Sequence, residues 1–176
     1  MKEKKIWTIG HSTHSIEVFF KMLASFDVQT LIDVRSLPGS RKFPQYDKEA
    51  LEISATDNNI HYLHLKDLGG RRKPSRESKN TAWRLASFRG YADYMETKPF
   101  FDAVKHLELI ASTSRTAYMC AEAVWWSCHR SLLSDYLKIN NWSVYHIMGV
   151  NKAQEHPYTK PARVEHGRLL YNSNGD

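Results

Sequence analysis

Cysteine, histidine and arginine stand side by side at Cys128, His129 and Arg130, where a segment with helical periodicity begins. A helix N-terminus carries a partial positive charge, so an arginine in its first turn costs about 0.3–1 kcal/mol unless a negative group lies beside it. That negative group is either Glu122, in the preceding loop, or an anionic ligand. The pattern therefore predicts an ion pair or an anion-binding site at the start of this helix, with Ser127 as its N-cap.

The thiol of Cys128 is a candidate nucleophile, because the helix N-terminus and Arg130 would both stabilise its thiolate. His129 or His11 would then carry protons. Adjacent residues of a helix point about 100° apart, which leaves open whether His129 reaches Cys128. The alternative is that Cys128 is a small buried residue with a structural role, and that role is expected for Cys120, which lies inside an apolar strand.

Two carboxylates have two interpretations each. Glu122 is either the ion-pair partner of Arg130 or a general acid or base. Asp33 ends a predicted strand next to Arg35, where it either helps to bind a ligand or holds a neighbouring loop through backbone N–H groups.

The elements that must position these residues alternate between strands and helices. Strands are predicted where short apolar runs are bounded by turn residues, over 6–9, 30–34, 60–65, 117–120 and 143–147. Helices are predicted where apolar side chains recur at helical spacing, from about residue 15, over 48–56, 88–95 and 99–111, and from about residue 127. Asp47 is expected to cap the second helix, and residues 162–171 have the pattern of a β-hairpin.

This alternation predicts an α/β fold, with a mostly parallel sheet of about five strands and helices on both faces. We expect one domain over residues 1–176, with a β-hairpin near its C-terminus. Parallel strands end at one rim of the sheet, where such folds bind ligands. Four polar strand ends would meet there: Gly10-His11-Ser12, Asp33-Val34-Arg35, Lys66 to Arg72, and Cys120-Ala121-Glu122.

Composition narrows the class of protein. The chain has 176 residues, of which 41% are hydrophobic and 25% charged, as in an ordinary globular protein. It contains no apolar run near the roughly 20 residues that cross a membrane, and its first residues lack the apolar segment of a signal peptide. Its two cysteines do not make a disulfide framework, so we expect a cytoplasmic protein without membrane contact. A net charge of +6 favours anionic partners.

Residues 66–89 form the most basic segment, with eight Lys or Arg side chains against two acidic ones. Trp83, Phe88 and Tyr91 interleave with or adjoin these basic residues. Aromatic side chains in a basic groove hold single-stranded nucleic acid by base stacking, so nucleic acid is a candidate partner. The other interpretation is a solvated loop with no specific partner.

A metal site is the weakest of the chemical interpretations. Cys120, Cys128 and His129 form a Cys-x7-Cys-His pattern, which lacks the close Cys-x2-Cys pairs of structural zinc sites. Four further histidines would have to converge in space to complete a coordination sphere: His11, His14, His61 and His64. We therefore assign no metal ligands, and the sequence identifies no cofactor and no oligomeric state.

Seven segments stand out as long or specific: TIGHST (8–13), LIDVRSLPGSR (31–41), FPQY (43–46), LGG (68–70), ASFRGYADYM (86–95), CAEAVWWSCHRSLLSDYL (120–137) and PARVEHGRLLY (161–171). They resemble the bacterial and archaeal domain of unknown function numbered 488, over nearly the whole chain. Related sequences often have arginine in place of Ser127 and His14. The resemblance implies an intracellular α/β domain and no particular reaction. It places these shared residues in the functional set: Gly10, His11, Ser12, Asp33, Arg35, Cys120, Glu122, Cys128, His129 and Arg130.

Together the observations predict a small enzyme, of hydrolase or transferase type, that acts on a phosphate-bearing or nucleotide-like substrate. The catalytic candidates are Cys128, Glu122, His11 and His129. The substrate-binding candidates are Arg130, Ser12, Asp33, Arg35, Arg41, Gly69, Gly70, Arg71 and Arg89. The alternative is a non-catalytic module that binds nucleic acid or nucleotides through residues 66–89, and a second alternative is a metal-dependent enzyme.

Overall fold

Five parallel strands form the centre of the computed structural model, which describes residues 2–173. The strands are β1 (Lys5–Gly10), β2 (Thr30–Asp33), β3 (His61–His64), β4 (Thr116–Cys120) and β5 (Ser143–Gly149). A sixth strand, β6 (Lys152–Glu155), pairs with β5 in the antiparallel direction. The order across the sheet is β3-β2-β4-β1-β5-β6. A separate hairpin joins β7 (Arg163–Glu165) to β8 (Arg168–Leu170).

The connections between the parallel strands contain five α-helices: α1 (Ile16–Ala24), α2 (Lys48–Asp57), α3 (Ala86–Tyr94), α4 (Lys98–Thr113) and α5 (Arg130–Ile139). Ser15 caps α1, because its hydroxyl accepts a hydrogen bond from the N–H of Val18 at 3.3 Å. Three short 3-10 turns lie in the loops, over Pro44–Tyr46, Lys66–Leu68 and Trp125–Ser127.

The helices cover both faces of the sheet. Ile6 of β1 packs in one core cluster with α4 and α5, whereas Trp7 and Ile9 pack in the other with α1 and α2. Successive residues of a strand point to opposite faces, so a strand buried on both sides is apolar at nearly every position. This accounts for the short apolar runs at β1, β2 and β4.

Neighbouring strands β1 and β4 are followed by helices on opposite faces of the sheet. The chain steps from β1 to β2 and β3 in one direction, and from β3 back to β4 and β5 in the other. Because crossovers are right-handed, this reversal sends α1 and α5 to opposite faces. A crevice therefore opens beyond the carboxyl ends of β1 and β4, at the place where open α/β sheets bind ligands.

The predicted fold class is confirmed: the structure is an α/β domain with a mostly parallel sheet, helices on both faces and a C-terminal hairpin. The hairpin turns at His166 (φ 49°) and Gly167 (φ 73°), the left-handed conformations that a tight two-residue turn needs. Residues 1 and 174–176 of the predicted domain lie outside the described residues. No helix within residues 2–173 is long and apolar enough to cross a membrane.

Two local predictions differ from the structure, and one strand was not predicted. Strand β6 was not predicted, because its sequence, KAQE, is exposed and has no apolar alternation. Helix α5 begins at Arg130 and not near Ser127, since Cys128 is extended; Ser127 lies in a 3-10 turn and its hydroxyl donates to the carbonyl of Val124. Asp47 precedes α2 as expected, but its carboxylate accepts from the N–H of Ser40 instead of capping the helix.

Candidate functional site

Two adjoining cavities lie beyond the carboxyl ends of β1, β2 and β4. The first, of about 280 Å³, is lined among others by Arg35, Gly70, Arg71, Cys120, Glu122, Cys128 and His129. The second, of about 430 Å³, is lined among others by His11, Ser12, Arg35, Lys42 and Glu122. Because Arg35 and Glu122 belong to both walls, the cavities are two halves of one crevice.

Backbone contacts between the ends of β1 and β4 hold the floor of this crevice. The N–H of His11 donates to the carbonyl of Cys120 at 3.0 Å, and the N–H of Ser12 donates to that of Ala121 at 2.9 Å. Gly10 is required here, because a Cβ at this position would lie 1.7 Å from the carbonyl oxygen of Glu122. The glycine thus lets the chain after β4 cross directly over β1.

Both cysteines of the chain are free thiols that line the first cavity, Cys120 at the end of β4 and Cys128 just before α5. Their side chains are 2% and 5% exposed, and each cysteine affects the pKa of the other. The thiol of Cys120 also contacts the carbonyl oxygen of Glu122, with 3.7 Å between sulfur and oxygen. The sulfur of Cys128 accepts from the backbone N–H of Arg130 at 3.4 Å. It also lies 3.4 Å from Nδ1 of His129, so the histidine does reach this thiol.

The two thiols differ in acidity. Burial opposes ionisation of Cys120, but the hydrogen bond from Cys128 and the charge of Arg130 outweigh it and lower its pKa to about 7. The same hydrogen bond, together with burial, raises the pKa of Cys128 well above its usual value. The first proton of the pair is therefore lost near neutral pH, and Cys120 is the more acidic of the two thiols.

Arg130 is the buried cation beside these thiols. Its side chain is 1% exposed, and its one hydrogen bond within residues 2–173 runs from Nη2 to the carbonyl oxygen of Glu122 at 3.4 Å. Its Nε and Nη1 are buried without a partner among the described atoms. A buried charge without a counter-ion destabilises a protein by several kcal/mol, so a neighbouring thiolate is the compensation that the site offers.

The ion pair between Arg130 and Glu122, one of the interpretations of the sequence, is not formed in the described structure. The guanidinium contacts the backbone carbonyl of Glu122, and the glutamate itself is exposed. The physical reason is the crossing over Gly10, which directs the carbonyl of Glu122 inward toward the guanidinium.

A second buried arginine, Arg35, is fully ion-paired. Its Nε and Nη2 donate to the two carboxylate oxygens of Asp33 at 2.9 and 2.7 Å. Nη2 also donates to the carbonyl of Tyr46 at 2.8 Å, and Tyr62 donates its hydroxyl to Asp33 at 2.6 Å. Asp33 is completely buried by these contacts, so it positions Arg35 at the wall shared by both cavities.

His129 lies between the cysteines and the loop after β3. Its ring packs on Gly70, where a Cβ would lie 2.5 Å from Nδ1 of the histidine. Its Nε2 is enclosed without a hydrogen bond to any described residue. Burial, reinforced by the charge of Arg130, lowers the pKa of His129 to about 4. The ring is therefore neutral at pH 7, and its Nδ1 faces Cys128 as an acceptor or donor according to its tautomer.

His11 lines the second cavity, whereas the two thiols line the first. Its ring stacks on Tyr46 with centroids 4.1 Å apart, and its Nδ1 lies 3.0 Å from the carbonyl of Ser12. Burial lowers the pKa of His11 below its ordinary value, and its Nε2 has no partner among residues 2–173. Ser12, with φ of 46°, lines the same cavity.

The other candidates divide into two groups. Gly70 and Arg71 line the first cavity, while Gly69 packs against Ser36 one residue earlier in the loop. Arg41 is exposed on a loop and lines neither cavity. Arg89 donates from Nε and Nη2 to the carbonyl of Trp83, also away from both cavities.

The basic segment 66–89 is tied to the domain. Ser75, Ser78 and Asn80 all donate hydrogen bonds to the carboxylate of Asp93 in α3. Trp83 and Tyr91, two of the three aromatic side chains of the stacking hypothesis, are buried in the core. They are therefore not available to stack on nucleic acid bases.

A series of buried polar side chains, joined by hydrogen bonds, lies against Trp125 in the loop between β4 and α5. The sequence patterns did not reveal it. Thr8 contacts His146 at 2.6 Å, His146 contacts His156 at 2.8 Å, and His156 contacts Asp135 at 2.8 Å. The indole of Trp125 stacks on the ring of His146, with centroids 4.6 Å apart. Burial, followed by the charges of His156 and Arg130, lowers the pKa of His146 to about 2. These residues are distant in sequence, and only the fold brings them together.

Cys120 lines the first cavity, although the sequence patterns assigned it a structural role. Its position at a polar strand end was the available signal, since Cys120-Ala121-Glu122 was one of four such ends. Across the described part of the chain, no group of three or more His, Cys, Asp or Glu side chains could hold a metal ion.

One protein family, described as Domain of unknown function DUF488, has a model that matches residues 15–137. Among curated proteins and solved structures, nothing matches the chain.

Proposed function

This chain belongs to the DUF488 family, and we propose that it is a cysteine-dependent enzyme whose thiolate attacks a small anionic substrate. The observation that carries the proposal is Arg130, a buried guanidinium that lies beside two thiols and forms no ion pair with any described carboxylate.

The electrostatics of the site favour a reactive thiolate at neutral pH. A buried cation within a few ångströms stabilises the charged form of an acid and lowers its pKa by about 1–3 units. The S–H of Cys128 adds a hydrogen bond to the same sulfur. Thiolates, unlike thiols, are nucleophiles, so Cys120 is the group that attacks and Cys128 is its hydrogen-bond donor.

The walls of the crevice favour an anionic substrate. Arg35 is held rigidly by Asp33 at the boundary between the two cavities, and Arg71 is exposed beside the thiols. The first cavity, of about 280 Å³, is large enough for a phosphate-sized group, and the second extends it past Lys42. A phosphate-bearing or nucleotide-like molecule with its reacting group in the first cavity fits this arrangement.

The chemistry would be hydrolysis or transfer through a covalent intermediate. Cys120 attacks the electrophilic centre, and the leaving group departs with its electron pair. Glu122, exposed on the shared wall, then removes a proton from the water or acceptor that releases the intermediate. His129 keeps the loop in place through its packing on Gly70 and its contact with Cys128.

Alkylation kinetics test this proposal. The rate with neutral iodoacetamide, followed against pH, should show a thiol ionising near pH 7, the value set by the surroundings of Cys120. Arg130→Met keeps the side-chain volume but removes the charge, so the rate below pH 7 should fall about tenfold or more. Arg76→Met, an exposed arginine outside both cavities, is the matched control and should react like the wild type.

The charge of the reagent tests the anion-binding wall. Relative to a free thiol, the protein should prefer iodoacetate to iodoacetamide, and Arg71→Ala should reduce that preference while Arg76→Ala does not. Thiols that ionise above pH 8.5 in the wild type, or that show no preference for the anionic reagent, would contradict the proposal.

A further inference from the structure

A second thiol in contact with the nucleophile is the feature that the proposed reaction does not use. Acyl or phosphoryl transfer needs one cysteine. Here Cys120 and Cys128, which are eight positions apart in sequence, are both buried in the lining of the same cavity, and each affects the pKa of the other. They are the two cysteines of the whole chain, so no third thiol competes with either.

Two thiols in contact can exchange with a disulfide. In such exchange a thiolate attacks one sulfur of a disulfide, and a second thiol resolves the mixed disulfide that results. The attacking sulfur must carry the negative charge and must also be a good leaving group, and a neighbouring cation favours both. Arg130 supplies that cation without a competing carboxylate among the described residues.

We propose that Cys120 and Cys128 reduce the disulfide bond of a small anionic molecule, with Cys120 as the attacking and Cys128 as the resolving cysteine. This inference rests on the proposed function, because it needs the same thiolate and the same anion-binding wall. It names the substrate class as a disulfide that carries carboxylate or phosphate groups.

The reaction balances without a further oxidant. The Cys120 thiolate forms a bond to one substrate sulfur, the substrate S–S bond breaks, and the first thiolate leaves with the electron pair. Cys128 transfers its proton to that thiolate and attacks the Cys120 sulfur, which releases the second small thiolate. The protein loses two electrons and gains an internal disulfide, while the substrate gains two electrons and becomes one thiol and one thiolate, which takes a proton from water. A dithiol reductant then restores the pair by the reverse exchange.

The structure also explains why the pair would prefer an anionic disulfide. The first cavity opens past Arg71, and Arg35 stands at its inner wall with its carboxylate partner fully buried. Neither cavity is lined by an aspartate, and the exposed Glu122 is the one acidic side chain among the described lining residues. A negatively charged molecule is therefore attracted on entry, whereas a cationic disulfide is repelled.

The test uses the fully reduced protein and dithiodiglycolate, a small disulfide with two carboxylates. Mass spectrometry should show a chain lighter by two hydrogen atoms and joined internally between Cys120 and Cys128, with two thioglycolates released per chain. Cys128→Ser should instead retain one thioglycolate on Cys120, since nothing resolves it. Cys120→Ser should react at least about tenfold more slowly than Cys128→Ser, because it lacks the attacking thiolate. Cystamine, a dicationic disulfide, should react at least about tenfold more slowly than dithiodiglycolate.

The outcomes separate the two proposals. If the wild-type protein is alkylated rapidly at pH 7 but accumulates stable thioglycolate adducts without the internal disulfide, the exchange activity is excluded and the proposed function stands. If neither alkylation nor exchange occurs in a protein with a native circular dichroism spectrum, both proposals fail.

Discussion

Two buried arginines on neighbouring parts of the sheet rim have opposite surroundings. Arg35 donates two hydrogen bonds to the carboxylate of Asp33 and a third to a backbone carbonyl. Arg130 makes one long hydrogen bond to a carbonyl and leaves two nitrogens without a partner in the described structure. The first arginine has a permanent counter-ion, whereas the charge of the second is balanced only when a cysteine beside it is ionised.

This difference indicates that the two arginines have different roles. A guanidinium held by a bidentate carboxylate is rigid and its charge is compensated, so Arg35 is suited to orienting a ligand by hydrogen bonds. A guanidinium without a carboxylate lowers the pKa of whatever acid lies next to it, which suits Arg130 to activating a thiol. In the proposed function, Arg35 is stabilised by the protein, whereas Arg130 stabilises the reacting thiolate.

The largest loss of stability is expected when the carboxylate that pairs with Arg35 is removed. Asp33→Asn leaves Arg35 buried and uncompensated, so the free energy of unfolding should fall by about 3–5 kcal/mol in urea titrations. Tyr62→Phe is the matched control, because it removes one hydrogen bond to the same carboxylate and should cost about 1 kcal/mol. If the two variants lose the same stability, Arg35 does not depend on its ion pair and the comparison breaks down.

A somewhat smaller effect for each ring is expected from acid, through the two histidines near Arg130. The pKa of His129 is lowered to about 4 and that of His146 to about 2, first by burial and in part by Arg130. Below pH 6.5 the unfolded chain binds protons that the folded chain does not, so stability is fully present above pH 6.5 and falls toward pH 4. The contribution of His129 is at most roughly 3 kcal/mol, from about 1.36 kcal/mol per pKa unit.

Urea titrations between pH 7 and 4, with NMR titration of the histidine rings, check this prediction. Arg130→Met should raise the pKa of both rings and weaken the acid dependence. His61→Gln, which changes an exposed side chain, should leave the dependence as it is in the wild type. Ring signals of His129 that titrate at its ordinary pKa would show that the ring is not enclosed as the structure has it.

The smallest change in stability is expected from substitution of Glu122. It tests whether Arg130, unlike Arg35, lacks a carboxylate partner. The glutamate is exposed and forms no ion pair within residues 2–173, so Glu122→Gln should change the free energy of unfolding by less than about 0.5 kcal/mol. A loss comparable to that of Asp33→Asn would mean that the carboxylate pairs with Arg130 after all, and the two arginines would then be alike.

The sequence was sufficient for the fold class and for the polar residues that gather at the rim of the sheet. Apolar runs of four to six residues appear wherever a strand is buried on both faces, as in β1 and β4, so alternation with helices predicted the parallel sheet. The position of the polar rim followed from the parallel topology, because the carboxyl ends of parallel strands lie at one edge of the sheet. Strand β6 was missed for the converse reason: an exposed edge strand carries no apolar pattern.

The charge partners were not predictable in the same way. Asp33 and Arg35 lie two residues apart, and their pairing is visible in the sequence as one of two interpretations. The partner of Arg130 depends on the direction of a loop of nine residues, which is set by the crossing over Gly10. A sequence pattern does not encode which end of Glu122, side chain or carbonyl, faces inward.

What the sequence by itself determined is the local part of this protein: the strands and helices, their alternation, and the kinds of residue that follow each strand. Only the tertiary structure decided that Cys120 and Cys128 line one cavity, that His129 reaches the thiol, and that no carboxylate within residues 2–173 pairs with Arg130. The reason is physical. Periodicity and capping act over a few residues, whereas the charge on a thiol depends on every group within several ångströms, whichever part of the chain supplies it.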